Sequence, residues 1–406
     1  MFLDFANGLA QVAGSKGYVY PNEAELHWSI LIVIYPYLTG LVAGAFILAS
    51  LVRVFNVEAV RPTYRLSLLT ALAFLIVAPF PLIAHLGHPE RAFEIMITPH
   101  LSSAMAVFGF VYLWYLMVVL LLEIWFDYRK DIVLIAKSSK GFKKIFYSIL
   151  TLGVMDISED ALRFDDKAGR IITIIGIPSA ILLHGYVGFI FGSLKANPWW
   201  SSVAMPVIFL LSAIVSGVAL VTVLYFITSW WRKHPLDMKC LDTMGKFLMY
   251  ALIVDFASEL LDGVHRLYEA GEWFSILTLL ASGYLYQTIF IMQLFLGTLV
   301  PLAALAWLQF FRTSERTRKG VYFFGSILVL IGVFFMRWNV VIGGQLFSKS
   351  LHGLTTYKLE LVGREGGAVA MVIMLLPFLL LWILARVLPP WETTSRHEPT
   401  LAKNVA

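Results

Sequence analysis

The chain has 406 residues, of which 59% are hydrophobic and 14% charged, where soluble domains carry about 25% charged residues. With a mean hydropathy of +0.79, this composition excludes an ordinary soluble domain and describes an integral membrane protein. The net charge is +5 and the single cysteine is Cys240, which excludes disulfide frameworks, thiolate-held iron-sulfur clusters and cysteine zinc sites.

The first residues, MFLDFANGLAQVAGSKGYVYPNEAEL, lack a basic start followed by an apolar run and a small-residue cleavage site, so no cleavable signal peptide is expected. Apolar runs of about 20 residues, the length that crosses a bilayer, follow near 28–55, 64–86, 102–126, 171–193, 205–231, 244–267, 284–310, 320–342 and 367–388. The reading is therefore an all-α polytopic membrane protein with about nine transmembrane helices.

Alternate loops test that count through the positive-inside rule. Of 31 Lys and Arg, 23 fall on one side, seven on the other, and Arg337 lies inside a span. An odd number of crossings follows, with the N-terminus outside and the C-terminus inside. Because the basic residues follow membrane sidedness, the net charge is no sign of nucleic-acid binding.

Two regions depart from simple hairpins. The inner loop 127–170 contains DIVLIAKSSKGFKKIFYSILTLG, whose mixed apolar and lysine faces predict a helix lying on the inner leaflet. Trp273–Trp307 would make a helix about 52 Å long, beyond the hydrocarbon thickness, which predicts a break near Gly283 with 273–282 lying at the outer surface.

An internal echo links the two halves. Pro36, Gly40 and Gly44 resemble Pro206, Ser212, Ser216 and Gly217, and HLGHPERAFE resembles LLDGVHRLYEAG, a pattern of parallel four-span repeats. Gly176, Gly185, Gly188 and Gly192 also place small residues on common helix faces, which lets membrane helices approach closely. Pro198, Trp199 and Trp200 connect the fourth and fifth spans, with the indoles expected at headgroup level and no chemistry assigned to them.

The candidate chemical groups fall into two sets. At the outer ends of spans 2, 3, 6 and 8 lie His85, His88, Glu90, Arg91, His100, His265, Arg266, Arg337 and Gln345. Histidine and carboxylate exchange protons near neutral pH, and an adjacent arginine holds a carbonyl oxygen electrostatically. Within the sixth span Asp255, Glu259 and Asp262 share one helical face and, with His265, form a proton path or a packed polar seam. His184 lies mid-span, as a core histidine or a functional one. Arg337 needs a compensating partner wherever it is buried. Since only His184 is mid-membrane, paired axial histidines for haem b are missing.

The segments GIPSAILLHGYVGFIFGSLKANPWWSSVAMPVIFLLSAIVSG, PLIAHLGHPERAFEIMITPHLSSAMAVFG and MRWNVVIGGQ together resemble the NrfD/PsrC family, the membrane subunits of polysulfide reductase and related complexes. The resemblance spans roughly 28–345 and implies two four-helix bundles, which the apolar runs put at 28–193 and 205–342; the ninth helix 367–388, the inner loop 127–170 and the outer loop 343–366 depart from the shortest family pattern. A segment 1–27 lies outside and a tail 389–406 in the cytoplasm. The ninth span and the long loops are similar to a longer, DsrP-like branch.

The family further implies an exchangeable menaquinone or ubiquinone, with no haem or iron-sulfur cluster in this chain. Its partners would be an extracytoplasmic ferredoxin-like iron-sulfur subunit and a catalytic molybdenum or multihaem cytochrome subunit, in the prokaryotic cytoplasmic membrane. The resemblance places the quinone site at His85, His88, Glu90 and Arg337, and the proton path runs over His184, Asp255, Glu259, Asp262 and His265. A proton-coupled secondary transporter and a structural anchor without quinone chemistry are the alternatives.

Overall fold

The structure, a computed structural model, describes residues 16–23, 26–98, 100, 102–268, 276, 279–280 and 284–391. Among the described residues there are nine long helices: α1 (Ile30–Arg53), α2 (Glu58–His85), α3 (Ala106–Ser138), α4 (Glu159–Gly192), α5 (Met205–Arg232), α6 (Met238–Tyr268), α7 (Tyr284–Phe310), α8 (Glu315–Leu346) and α9 (Gly367–Val387). A two-residue strand β1 (Lys16–Gly17) pairs antiparallel with β2 (Gly353–Leu354). The surface run 273–282 and the break near Gly283 lie outside the described residues, apart from residues 276, 279 and 280, and so does the tail beyond residue 391.

Helix starts follow ordinary capping chemistry. Ser29 accepts a hydrogen bond from the Leu31 amide, Ser158 from Ala161 and Ser314 from Thr317, each satisfying a donor that the first turn leaves open. Glu159, Asp160 and Glu315 add negative charge to the first turns of α4 and α8, where the helix dipole favours it. In α2 the run Tyr64–Val77 gives way to Phe80–His85 at Ala78 and Pro79, since proline cannot continue the hydrogen-bond ladder.

Helices α1–α4 pack on one another, as do α5–α8, and α9 lies against α2 and α1. The two groups join chiefly where α1 meets α5. There the echoed glycines face each other: a Cβ on Gly44 would sit 2.0 Å from the Ala213 carbonyl, and one on Gly217 would sit 2.4 Å from the Gly44 backbone. No other residue allows the backbones to come so close.

All these helices except α6 are long and apolar enough to cross a bilayer. Helix α6 is 31 residues long, about 46 Å at 1.5 Å per residue, and carries its carboxylates toward protein instead of lipid. It starts against residues 58–63 at the arginine-rich end and finishes with Arg266 donating to the Pro198 carbonyl, 2.9 Å away, at the other end. It therefore runs the full depth of the bundle.

Contacts define both ends. Tyr147 on the Val387 carbonyl, Arg318 with Asp242 and Arg386 over Trp231 gather one end, called inner here for its basic residues. His85 with Glu365, Trp28 with Gln345 and Glu23 with Ser348 gather the other.

Most of the loop expected at 127–170 is helix. α3 continues to Ser138 and α4 begins at Glu159, because Arg65–Asp127 and Arg129–Asp165, at 2.7 and 2.6 Å, neutralise the charged turns that project inward. The surface helix is the short piece Gly141–Leu150, with Phe142, Ile145 and Ile149 exposed.

Among the described residues three stretches widen from α- to π-helix: Tyr115–Leu120 in α3, Gln287–Leu299 in α7 and Asn339–Gly343 in α8. The α8 stretch supplies the partners of the tryptophans in the α4–α5 connection. Trp199 Nε1 donates to the Asn339 carbonyl at 3.0 Å and Trp200 Nε1 to the Val340 carbonyl at 2.6 Å. Each indole N–H is thereby satisfied by a backbone carbonyl of α8, which ties the α4–α5 connection to that helix.

Candidate functional site

Between α5, α6, α7 and α8, near the outer end, lies a cavity of about 320 Å³. Its walls are mainly apolar, with Met205, Ile208, Phe256, Ile289, Leu294 and Met336 among them. Its polar groups are few: Glu259 and Asp262 from α6, Gln293 from α7 and Asn339 from α8, with Arg266 and Trp199 at the margin. A mostly apolar pocket with a small number of convergent polar groups is the usual form of a small-molecule site.

Both amides sit on the π-helical stretches, Gln293 within that of α7 and Asn339 at the start of that of α8. The extra residue of a π-turn rotates side chains out of the register an α-helix would give, and such turns recur at functional sites. Asn339 Nδ2 donates to Gln293 Oε1 at 2.9 Å, and Gln293 Nε2 lies 3.4 Å from both Glu259 oxygens. An oriented chain of amides thus ends on a carboxylate in the cavity wall. Asp262 differs: it accepts from Arg266 at 2.7 Å and from Ser202 at 2.5 Å, which ties α6 to the α4–α5 connection.

Behind this wall Arg337 is 0% exposed. Its Nη2 lies 2.9 Å from His184 Nε2, 2.8 Å from Ser212 Oγ and 3.2 Å from the Phe209 carbonyl, and its guanidinium stacks 4.0 Å from the Phe209 ring centre. Because a guanidinium only donates, His184 Nε2 accepts, and the ring hydrogen sits on Nδ1 beside Thr39 Oγ1 at 3.3 Å. Asp255 and Glu259 of α6 are the acidic neighbours of Arg337, within electrostatic range. Asp255 Oδ1 and Arg337 Nε are both buried without a hydrogen-bond partner.

The sequence-derived candidates therefore separate. Arg337 and His184, singled out for different roles, are each other's partners. Asp255, Glu259 and Asp262 share a side of α6 but face Arg337, Gln293 and Arg266 in turn. His265 is exposed near the outer end of that helix. His85 pairs with Glu365 at 2.8 Å and His88 with Glu90 at 3.0 Å, and none of these groups hydrogen-bonds Arg337. His88 is 76% and Glu90 65% exposed. Sequence reasoning missed Gln293 and Asn339, whose only signal was a neutral amide inside an apolar run.

Among the described residues no cluster of His, Cys, Asp or Glu is arranged to hold a metal ion.

Comparison with known proteins places this geometry in context. A family profile described as "Polysulphide reductase, NrfD" matches residues 19–349. A selenate reductase subunit of Mesobacillus selenatarsenatis is 30% identical over 327 residues, covering 78% of this chain and 73% of that one. A putative dimethyl sulfoxide reductase membrane subunit of Halobacterium salinarum is 28% identical, covering 78% and 69%. Protein NrfD of Escherichia coli is 26% identical, covering 79% and 96%.

Proposed function

The chain belongs to the NrfD polysulphide reductase family, and from that membership we propose that it is the quinone-reactive membrane subunit of a respiratory oxidoreductase. It exchanges electrons between the quinone pool of a prokaryotic cytoplasmic membrane and an extracytoplasmic ferredoxin-like iron-sulfur partner. That partner serves a catalytic subunit of the molybdenum or multihaem type. The names of the selenate and dimethyl sulfoxide reductase relatives support the reductase setting.

The observation that carries the reading is the cavity between α5 and α8. Its apolar walls suit a menaquinone or ubiquinone ring and the first part of its tail, and its polar groups lie on one side. Quinone chemistry moves two electrons and two protons. Here the amides of Asn339 and Gln293 orient a carbonyl oxygen, and the Glu259 carboxyl gives or takes a proton at that oxygen, as a positioned acid or base does. His85, His88 and Glu90 lie elsewhere on the outer end and take no part in this pocket.

Binding of a fluorescent quinone-site inhibitor to the intact complex tests the assignment by quenching. Gln293→Leu removes both amide contacts and is expected to weaken binding about tenfold, the equivalent of one hydrogen bond of about 1.4 kcal/mol. Unchanged quenching in assembled complex sends the site elsewhere.

Glu259 and Asp255 also supply a way to move protons, since acidic groups at this depth are costly without a role. Replacing both by their amides is expected to abolish membrane-potential changes in proteoliposomes while electron transfer continues. An intact potential removes proton movement from the reading.

A further inference from the structure

A second carboxyl lies deep in the other half of the molecule, outside everything proposed above. Glu123 of α3 is 0% exposed, and its Oε2 has no hydrogen-bond partner. Its Oε1 lies 2.8 Å from Thr173 Oγ1 of α4 and 3.4 Å from the Tyr64 hydroxyl of α2.

Tyr64 also lines an inner-end cavity of about 370 Å³ walled by Arg53, Glu58, Arg61, Asp127, Lys130 and Asp165, among others. Arg53 Nη1 donates to the Tyr64 hydroxyl at 3.2 Å. One continuous hydrogen-bonded path therefore leads from a polar cavity to a buried carboxyl.

We propose that Glu123 is a proton-binding site loaded from the inner aqueous phase through this cavity. In the step, a hydronium ion in the cavity hands a proton to the Tyr64 hydroxyl oxygen as the hydrogen that Tyr64 already holds passes to the Glu123 carboxylate; the hydronium becomes water, Tyr64 stays neutral and Glu123 becomes a neutral carboxylic acid. Discharge runs the same route in reverse.

The hydroxyl of Thr173 is what allows both states. It lies 2.8 Å from Glu123 Oε1 and 2.9 Å from the Gly169 carbonyl, and its one hydrogen serves one of them at a time. With Glu123 ionised, Thr173 donates to it. With Glu123 neutral, the acid donates to Thr173, whose hydrogen turns to Gly169. Either protonation state keeps its hydrogen bonds without heavy-atom movement.

The surrounding charges belong to the same apparatus. Arg53 of α1 and Arg65 of α2 both hold Asp127, which lies one turn along from Glu123, at 3.3 and 2.7 Å. Asp131 takes Arg65 at 2.7 Å, Asp166 of α4 takes Arg53 at 3.4 Å, and Asp165 is held by Arg129 at 2.6 Å. Tyr115 of α3 is a further titratable neighbour, and Glu58, Arg61, Lys130 and Arg170 line the cavity itself. Arg53, bound to both Tyr64 and Asp127, stands where the cavity meets the buried carboxyl.

Infrared difference spectroscopy of the full chain, reconstituted in one orientation, reads this directly as the carbonyl stretch of a neutral carboxylic acid. The band is expected to follow the pH of the inner compartment, to vanish in Glu123→Gln and to shift in Thr173→Val, which loses the hydroxyl partner. A pH response that is identical in wild type and Glu123→Gln, or one that follows only the outer pH, overturns the proposal. Should Glu123→Gln fail to fold, an unshifted band in Thr173→Val does the same. Quinone-inhibitor binding is expected to be unchanged in both variants, so the inner site and the outer pocket stand or fall in separate measurements.

Discussion

The seam between α1 and α5 and the space enclosed by α5–α8 are built from similar apolar helices, but they solve opposite problems. At the seam Gly44 and Gly217 bring two backbones into contact, and the interior of α1 is buried almost throughout. On the other side α7 and α8 widen into π-turns and leave a cavity. Close packing gives a stiff axis, while departure from regular helix makes room for a ligand. The molecule concentrates order in one place so that it can be irregular in another.

Arg337 belongs to the boundary between these regions, and its loss is expected to have the largest effect. Arg337→Leu strands His184, Ser212 and Asp255 without their cation and should cost about 3–5 kcal/mol, read as a lowered unfolding temperature of the purified chain. A cost well below this would mean that the boundary holds together by apolar packing alone.

A pair of identical substitutions compares the regions directly. Gly217→Ala forces a Cβ into the Gly44 backbone and is expected to destabilise by about 1–3 kcal/mol through overpacking. Gly263→Ala, on α6 beside the cavity, meets nothing within 4 Å and should stabilise the helix by about 0.5–1 kcal/mol. Thermal unfolding of the two side by side checks the contrast, and equal effects would erase it.

The smallest effect is expected at His88, 76% exposed on the outer end. His88→Ala should leave stability within about 0.5 kcal/mol and inhibitor binding intact in assembled complex. Lost binding would move the quinone site to the HLGHPER segment and take the α5–α8 cavity out of the reading.

Much of the fold could be read from hydropathy, since a span in lipid must be apolar and about 20 residues long. Even α6 is visible by its length, although its carboxylates keep it below the apolarity of the others. The need for a partner at Arg337 was legible because a buried cation always has that need. Its identity was not, because His184 lies on another helix and only packing brings them together. Gln293 and Asn339 were hidden for a different reason: a neutral amide barely alters hydropathy, and a π-turn has no side-chain signature. Glu123 falls at the end of the apolar run 102–126, where hydropathy gives no reason to single it out; α3 continues to Ser138 and places it inside.

The central position of α1 has a consequence for how the protein is made. α1 is the first of the nine helices to leave the ribosome, yet its most extensive contact is with α5, which follows after three further spans. During synthesis it waits in lipid with its glycine face uncovered, held there by hydropathy alone, and helix association follows insertion as a separate stage. A truncated product ending before α5 would therefore sit in the membrane with that groove open, a natural target for quality-control proteases.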